Sequence, residues 1–297
     1  MSTPAISILI PVYNYDVRQL VHDLQQQSHT LDGVEVEILC FDDASDADFR
    51  RLNAAIAELP SVEYRLLPNN LGRSRIRNLL AREASHDYLL FIDCDSQVPD
   101  DSYLQRYAKT LSPEQLLYGG RIYQSQAPEN QALILHWRYG SMREARPAEE
   151  RQSQPYHSFM TNNFLIPRKL FYPIGFDERL SQYGHEDTLF GMELAAKNIQ
   201  IAHLENPLVH AGLEPAQVFL RKSRQALENL AFLYHQGTGI DTRLLRWALR
   251  LQGQPSEVLL RVFWDSFRSL LERQLKSGNP SLRLFDMYKL GCLLEEL

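Results

Sequence analysis

The sequence predicts an α/β fold in which a mainly parallel central sheet is flanked by helices and followed by a helical C-terminal extension. Two observations indicate the sheet: short apolar runs alternate with polar helical stretches over residues 5–92, and two of these runs end in acidic clusters. A third indicates the extension, because apolar residues recur at helical spacing beyond Pro215. We therefore expect an α/β domain at residues 1–212 and a helical extension at residues 213–297.

Four apolar runs predict the first four strands, since each has the length of a strand and is bounded by polar residues. They are Ile6–Val12, Val34–Phe41, Val62–Leu66 and Tyr88–Ile92. The polar segments between them predict the helices Asp16–Gln27, Asp46–Leu59 and Gly72–Ala84. Such alternation favours right-handed crossovers and therefore parallel strands.

The pattern is mixed from residue 116 onwards and becomes helical in the extension. Three further strands are predicted at Leu116–Tyr123, Asn163–Ile166 and Ile199–Leu204. A further helix is predicted at Glu186–Lys197. The charged stretch Arg143–Pro155 is interpreted as a mobile surface loop and a candidate lid. Three or four amphipathic helices are expected beyond Pro215, and Trp247 is interpreted as a core side chain.

Composition limits the classes of protein that the chain can represent. A hydrophobic content of 44% is enough for a sizeable core, and a net charge of −6 argues against general nucleic-acid binding. The three cysteines lack metal-type spacing and fit a reducing compartment. The apolar runs are shorter than a membrane span, and no signal peptide is recognised at the N-terminus. The expected location is therefore cytoplasmic.

Acidic clusters follow the second and fourth predicted strands, at Asp42-Asp43 and at Asp93-Cys94-Asp95. The carboxyl ends of parallel strands form the ligand-binding edge of an open α/β sheet. Carboxylates gathered there repel one another unless a cation joins them, which favours a divalent metal that carries a nucleotide diphosphate. The ordinary alternative is that these carboxylates cap the helices that follow. No glycine-rich dinucleotide fingerprint and no Gly-Lys-Ser/Thr phosphate loop is found in the sequence.

Seven short motifs follow one another along the chain. They are Pro11 to Asn14, Asp42 to Ser45, Asn69 to Asn78, Asp93 to Asp95, Thr161 to Phe164, Ile174 to Glu178 and Tyr183 to Asp187. Their order resembles that of family 2 of the glycosyltransferases, which have the GT-A fold, and the resemblance covers roughly residues 5 to 212. It implies transfer of a sugar from a nucleotide diphosphate to an acceptor, usually with inversion at the anomeric carbon.

The resemblance also implies how the donor would be held. Asp95 would bind Mn²⁺ or Mg²⁺, while Asp93 would touch the sugar or ribose. Asp43, with Asp42 beside it, would accept the imide N–H of uracil, which favours a UDP-sugar. The match implies four other donor-site positions. Pro11 would shape the turn and Tyr13 would stack on the base. Arg77 would face the nucleotide or brace the acidic site, and Asn163 would line the donor site.

Two further positions carry roles implied by the resemblance. Asp187 would be the base that takes the proton of the acceptor hydroxyl, and Glu186 would position the acceptor. A helix N-terminus favours an ionised carboxylate, although acidic residues are also frequent in a first helical turn for stability alone. His210 either completes the metal site, where imidazole suits Mn²⁺, or is a structural hydrogen-bonding residue.

Several readings of the function stay open at this stage. The first is a metal-dependent inverting transferase that builds surface polysaccharide on a glycan or lipid-linked acceptor. A nucleotidyltransferase also gathers carboxylates at strand ends, but the segment after the first strand lacks the glycine- and lysine-rich loop of that class. A non-catalytic scaffold protein with the same fold is the third.

The usual role of the helical tail is packing on the α/β domain; docking at the inner face of the plasma membrane and homo-oligomerisation are alternatives.

Overall fold

The protein is described by a computed structural model that covers residues 3–179 and 184–297. The strands in this part of the chain are β1 (Ala5–Val12), β2 (Glu35–Asp42), β3 (Val62–Leu66), β4 (Tyr88–Ile92), β5 (Ser96–Gln97), β6 (Gln115–Tyr118), β7 (Arg121–Ile122), β8 (Asn163–Pro167), β9 (Gln200–His203) and β10 (Leu208–His210).

Helices connect the strands and continue after them. They are α1 (Arg18–Ser28), α2 (Ala47–Asn53), α3 (Arg73–Glu83), α4 (Tyr103–Lys109), α5 (Ile134–Tyr139), α6 (Ala148–Gln152), α7 (Arg168–Phe171), α8 (Glu186–Ala196), α9 (Ala216–His235), α10 (Arg243–Leu251), α11 (Pro255–Leu275) and α12 (Leu282–Glu296). Short 3₁₀ turns lie at Ala54–Glu58 and Gln131–Leu133, and a π-helical turn lies at Gly140–Glu144. In the described part of the chain, no helix has the length and apolar character needed to cross a membrane.

The described residues form two compact units. The first comprises residues 3–124, 145–179 and 186–212 and holds both sheets, whereas the second comprises residues 125–144, 184–185 and 213–297 and is helical. The domain boundary at residue 212 stays a prediction. Residues 125–144 precede that boundary in the chain but group with the helices that follow it.

The central sheet has seven strands in the order β3-β2-β1-β4-β8-β6-β9. All are parallel except β8, which runs antiparallel to its neighbours β4 and β6. Alternate side chains of β4 serve two cores: Leu89 and Phe91 face one cluster, and Leu90 and Ile92 face the other. The predicted fold class, a mainly parallel sheet flanked by helices with a helical C-terminal region, is confirmed.

One edge of the sheet collects most of the polar motifs. Strands β1, β2 and β4 end there, and the antiparallel β8 begins there, so that Ile92 pairs with Asn163. A smaller three-stranded sheet has the order β5-β10-β7, and its register pairs Ser96 with His210. This pairing returns a distant segment to the residues that directly follow Asp95.

Three sequence predictions of local structure are wrong. The single strand expected at Leu116–Tyr123 is two strands, β6 and β7, because Gly120 adopts a left-handed φ of +94° between them. The stretch interpreted as a charged surface loop contains α6, and Arg151 on that helix is only 2% exposed. Trp247, expected in the core, is 53% exposed.

Candidate active site

Asp93, directly after β4, is held between two arginines. Nη2 of Arg77 lies 2.6 Å from Oδ1 of Asp93, and Nη2 of Arg121 lies 3.4 Å from Oδ2. The Arg77 side chain is 5% exposed and its guanidinium stands over the ring of Phe176, with 5.5 Å to the ring centroid. Because a buried guanidinium is costly without an anionic partner, this pair fixes the Asp93 carboxylate in place. Nε and Nη1 of Arg77 are buried without a hydrogen-bond partner in the described structure.

Phe176 is in turn fixed by α3. The amide of Asn78 donates to the carbonyl oxygen of Phe176 (2.9 Å) and accepts from its backbone N–H (2.8 Å). Gly175 precedes it with a φ of +61°, a conformation that favours glycine. The motif from Ile174 to Glu178 therefore supports the ring under Arg77 and reaches Asp93 only through that arginine.

Asp95 lies against the returning strand β10. Its Oδ1 is 3.4 Å from Nδ1 of His210, and its backbone carbonyl accepts a hydrogen bond from the N–H of Ala211 (2.8 Å). Gly212 passes so close that a Cβ atom on it would stand 2.5 Å from Oδ2 of Asp95 and 2.7 Å from Cβ of Asp95. Glycine at position 212 is thus required by the position of the Asp95 carboxylate.

The Asp95 carboxylate is the strongest candidate for a metal ligand. Burial raises its pKa, but His210 and the guanidinium groups of Arg121 and Arg73 outweigh burial and hold that pKa below its usual range, so the group is ionised at neutral pH. Its Oδ1 is buried and makes no hydrogen bond in the described structure. An ionised, buried oxygen beside an imidazole suits Mn²⁺ or Mg²⁺.

The described residues contain no cluster of three or more His, Cys, Asp or Glu side chains that could enclose a metal. A Mg²⁺ ion, however, is commonly held by one or two carboxylates together with substrate phosphates. Asp95 and His210 therefore fit a cation that arrives with a diphosphate better than one bound permanently.

The two carboxylates after β2 have different surroundings. Asp42 is fully buried, and its oxygens accept from the N–H of Ser45 (2.7 Å) and the hydroxyl of Tyr64 (2.7 Å). Asp43 accepts from the N–H groups of Leu71 (2.6 Å) and Gly72 (2.9 Å). Neither side chain caps α2, whose N-cap residue makes no side-chain bond. We therefore assign Asp42 to the loop framework and keep Asp43 as the candidate base-reading residue.

Asp43 retains the capacity to bind a further donor, because a carboxylate has about four lone-pair sites and only two are used. Burial raises the pKa of Asp43, and the two backbone hydrogen bonds partly offset that rise. A buried carboxylate with remaining acceptor capacity suits a planar N–H donor such as an imide.

The turn after β1 lies beside this loop. The N–H of Asn14 donates to the hydroxyl of Ser45 (2.8 Å), and the amide oxygen of Asn14 accepts from the N–H of Asp46 (2.7 Å). Tyr13 is 53% exposed, which leaves a ring available for stacking, and Pro11 is still within β1. The first two motifs are thus brought together at the edge of the sheet.

Asn163 is buried and its side-chain amide is saturated. Its oxygen accepts from the hydroxyls of Tyr103 (2.7 Å) and Tyr107 (2.8 Å), and its nitrogen donates to the carbonyls of Gly120 (2.9 Å) and Asn206 (2.9 Å). An asparagine amide can make four hydrogen bonds, and all four are made within the protein. In this structure the Asn163 amide supports the fold, and its contact with the donor stays a prediction.

The acidic pair predicted to act on the acceptor opens α8. Glu186 is partly buried, and its Oε1 lies 4.0 Å from Nε of Arg73. Oδ1 of Asp187 accepts from the N–H of Thr188 (2.7 Å), in the first turn of the helix. The motif begins at Tyr183, which lies outside the described residues. Both carboxylates thus lie in the first turn of α8.

Sequence reasoning missed two residues that shape this site, Arg121 and Gly212, whereas Arg73 lies in the predicted motif Asn69 to Asn78. Arg121 reaches Asp93 because Arg151, buried under the preceding turn, donates to the carbonyls of Tyr118 (3.4 Å) and Gly119 (3.1 Å). The two adjacent glycines before Arg121 were the available signal for such a turn. For Gly212 the sequence offers no signal, since Asp95, the residue that Gly212 contacts, is 117 positions away in the chain.

The fold and the acidic edge together define an α/β protein that gathers carboxylates at one edge of a mainly parallel sheet. A model of the family described as Glycosyl transferase family 2 matches residues 7–175, more than half of the chain. The chain therefore belongs to glycosyl transferase family 2, and the resemblance of its motifs is confirmed.

Curated relatives match a part of the chain. A protein of Haemophilus influenzae described as "Uncharacterized glycosyltransferase" is 31% identical over 104 residues, which are 34% of this chain and 40% of the relative. An N-acetylglucosaminyltransferase of Sinorhizobium fredii is 28% identical over 116 residues, 37% of this chain and 27% of the relative. The chain thus spans less than half the length of these relatives.

Solved structures match nearly the whole fold. Residues 1–349 of TarS from S. aureus, in complex with UDP, have a TM-score of 0.51 at 16% identity, with 98% of this chain and 88% of that chain covered. The mannosyltransferase PcManGT from Pyrobaculum calidifontis, with GDP-Man and Mn²⁺, has a TM-score of 0.54 at 14% identity and coverage of 98% and 87%. Glucosyl-3-phosphoglycerate synthase from Mycobacterium tuberculosis, with Mn²⁺ and UDP, has a TM-score of 0.51 at 18% identity and coverage of 81% and 82%. At these identities the likeness shows a common fold.

Proposed function

We propose that this protein is a metal-dependent, inverting glycosyltransferase that moves a sugar from a UDP-sugar to a hydroxyl of a glycan or lipid-linked acceptor in cell-surface polysaccharide synthesis. The observation that carries the proposal is the edge of the sheet where Asp93 is held between Arg77 and Arg121 and where Asp95, two residues further on, lies beside His210. Family membership supports the reaction type. The TarS and glucosyl-3-phosphoglycerate synthase complexes with UDP support a uridine donor.

The donor roles follow from chemistry and position. Asp95 and His210 would hold Mn²⁺ or Mg²⁺, and that cation supplies positive charge to the diphosphate leaving group. Asp93, fixed by Arg77, is placed to accept hydrogen bonds from sugar or ribose hydroxyls. Asp43 accepts the imide N–H of uracil and the exposed ring of Tyr13 stacks on the base.

In the reaction, Asp187 takes the proton of the acceptor hydroxyl while the acceptor oxygen forms a bond to the anomeric carbon. The bond from that carbon to the diphosphate breaks, and its electron pair leaves with UDP. Attack opposite the leaving group inverts the configuration. Glu186, close to Arg73, orients the acceptor. A positioned general base contributes about 10²- to 10⁴-fold to such a step.

One comparison keeps a second donor in view. The mannosyltransferase PcManGT, which has a similar fold, was solved with GDP-Man and Mn²⁺, so this fold also occurs with a guanosine donor. The buried Asp43 favours uracil because a carboxylate accepts its imide N–H. Guanosine also presents N–H donors, so the base must be decided by measurement.

Calorimetric titration with UDP, GDP and CDP, with and without Mn²⁺, tests the donor assignment. We expect UDP to bind in the presence of Mn²⁺, and its affinity to fall by at least tenfold when EDTA replaces the metal. Binding of GDP alone would keep the transferase and discard the uridine assignment. If no nucleotide binds, the non-catalytic scaffold becomes the better account.

A methyl group at position 212 is expected to disable the metal site without unfolding the protein. In Gly212→Ala the new Cβ would stand 2.9 Å from Cγ of Asp95 as well as close to Oδ2, so the carboxylate must move. A displacement of about 1 Å costs on the order of a hundredfold in a catalytic site. The measurement is Mn²⁺-dependent UDP binding, together with the midpoint of thermal unfolding.

Gly237→Ala provides the matched control, because a Cβ there meets nothing within 4 Å although φ is +66°. That variant should lose roughly 1 kcal/mol of stability from backbone strain and keep its affinity for UDP. Equal UDP affinities in wild type and Gly212→Ala would show that Asp95 does not hold the cation.

A further inference from the structure

Helix α11 carries apolar side chains on two opposite faces. Trp264, Leu271 and Leu275 are buried within the helical unit. The other face presents five apolar side chains that are 44–72% exposed: Val258, Leu259, Val262, Phe267 and Leu270. At 100° per residue these five residues, the apolar row, fall within about half of the helix circumference, away from the three buried residues. Scattered exposed apolar residues are ordinary, but five on one side of a helix are typical of a binding surface.

Helix α10, which precedes α11 across residues 252–254, has a basic outer face. Leu245 and Ala248 are buried, whereas Arg243, Arg246 and Arg250 are exposed together with Trp247. Arg246 forms an ion pair with Asp241 (2.7 Å), and α10 itself has no acidic residue. A tryptophan among arginines combines an amphipathic ring with cations, a composition favoured at the boundary between water and lipid.

Charge distinguishes between the possible occupants of these two faces. Residues 243–276 contain seven basic and three acidic side chains, a net charge of +4, in a chain whose net charge is −6. Two copies that meet through this segment would bring like charges together. An anionic surface complements it, and anionic lipid attracts each basic side chain held near it.

We propose that the exposed residues of α10 and α11 form a docking surface for an anionic membrane. The surface consists of Arg243, Arg246, Trp247, Arg250, Val258, Leu259, Val262, Phe267 and Leu270. The apolar row inserts at the level of the headgroups, Trp247 lies at the interface, and the arginines contact lipid phosphates. This proposal needs no donor or metal, so it stands apart from the proposed transfer reaction.

Vesicle flotation tests the surface directly. Full-length protein is mixed with vesicles of phosphatidylcholine alone or with phosphatidylglycerol added, at low and high salt. We expect binding to the mixed vesicles, weaker binding at high salt, and little binding to phosphatidylcholine. Leu259→Glu should lower the partition coefficient by roughly tenfold or more, and Arg243→Gln combined with Arg250→Gln should lower it on the order of tenfold or more.

Two control variants match these substitutions elsewhere in the chain. Met142→Glu changes a side chain that is 69% exposed, and Arg50→Gln with Arg51→Gln removes two charges from α2. Both should float like wild type. Equal flotation of all variants, or no binding to anionic vesicles, overturns the proposal. A concentration-dependent dimer that Leu259→Glu dissociates, without vesicle binding, assigns the surface to a second copy instead. Retained UDP binding in the same preparations separates this outcome from failure of the proposed function.

Discussion

Asp95→Asn is expected to abolish metal-dependent UDP binding and to lower kcat/KM by at least a hundredfold. The substitution keeps the shape of the side chain but removes the negative charge that a hard cation requires. A hundredfold loss corresponds to about 2.7 kcal/mol of transition-state stabilisation. Asp93, two residues before Asp95, is paired with Arg77 and Arg121, so we do not expect it to replace Asp95.

The measurement is calorimetric titration of UDP with Mn²⁺, combined with steady-state release of UDP from a donor. Asp101→Asn is the control, since Asp101 is an exposed carboxylate a few residues further along the chain. It should behave as wild type in both assays. Unchanged UDP affinity in Asp95→Asn would place the metal, or the whole donor site, elsewhere.

Asp187→Asn is expected to separate binding from turnover. The amide cannot take a proton from the acceptor hydroxyl, so kcat should fall by about 10²- to 10⁴-fold. UDP affinity should change by less than about threefold, since the carboxylate is assigned to the acceptor side and not to the donor. That split distinguishes a base from a residue that merely supports the site.

Glu193→Gln is the appropriate comparison, because it removes a carboxylate from an exposed position of the same helix, α8. Turnover close to wild type is expected for it. If Asp187→Asn turned over as fast as Glu193→Gln, the general base would have to be another group. If Asp187→Asn lost UDP binding as well, its role would be structural or on the donor side.

The sheet and the acidic edge were accessible from sequence because both depend on local pattern. Buried strands are short and apolar, so β3 and β4 begin and end at the predicted residues. The carboxyl ends of parallel strands must share an edge, which brings Asp43 and Asp93 to the same side of the sheet without any knowledge of side-chain contacts.

The partners of individual polar residues were not accessible, since they come from distant elements. Asn163 and Asp42 resemble ligand-binding positions by motif, yet Asn163 accepts from the hydroxyls of Tyr103 and Tyr107, and Asp42 accepts from the hydroxyl of Tyr64. The charged stretch near residue 150 read as a loop because nothing local shows that Arg151 is enclosed by backbone carbonyls of β6 and its neighbours. Composition alone does not distinguish a solvated arginine from an enclosed one.

The central claim is that the acidic edge holds a metal and a uridine diphosphate, and anomalous diffraction from a crystal grown with UDP and Mn²⁺ tests it most directly. The account predicts a manganese peak at coordination distance from Asp95, about 2.1 Å as for Mg²⁺, with the uracil ring against Asp43. A manganese peak away from Asp95, or a base that does not contact Asp43, would contradict the account.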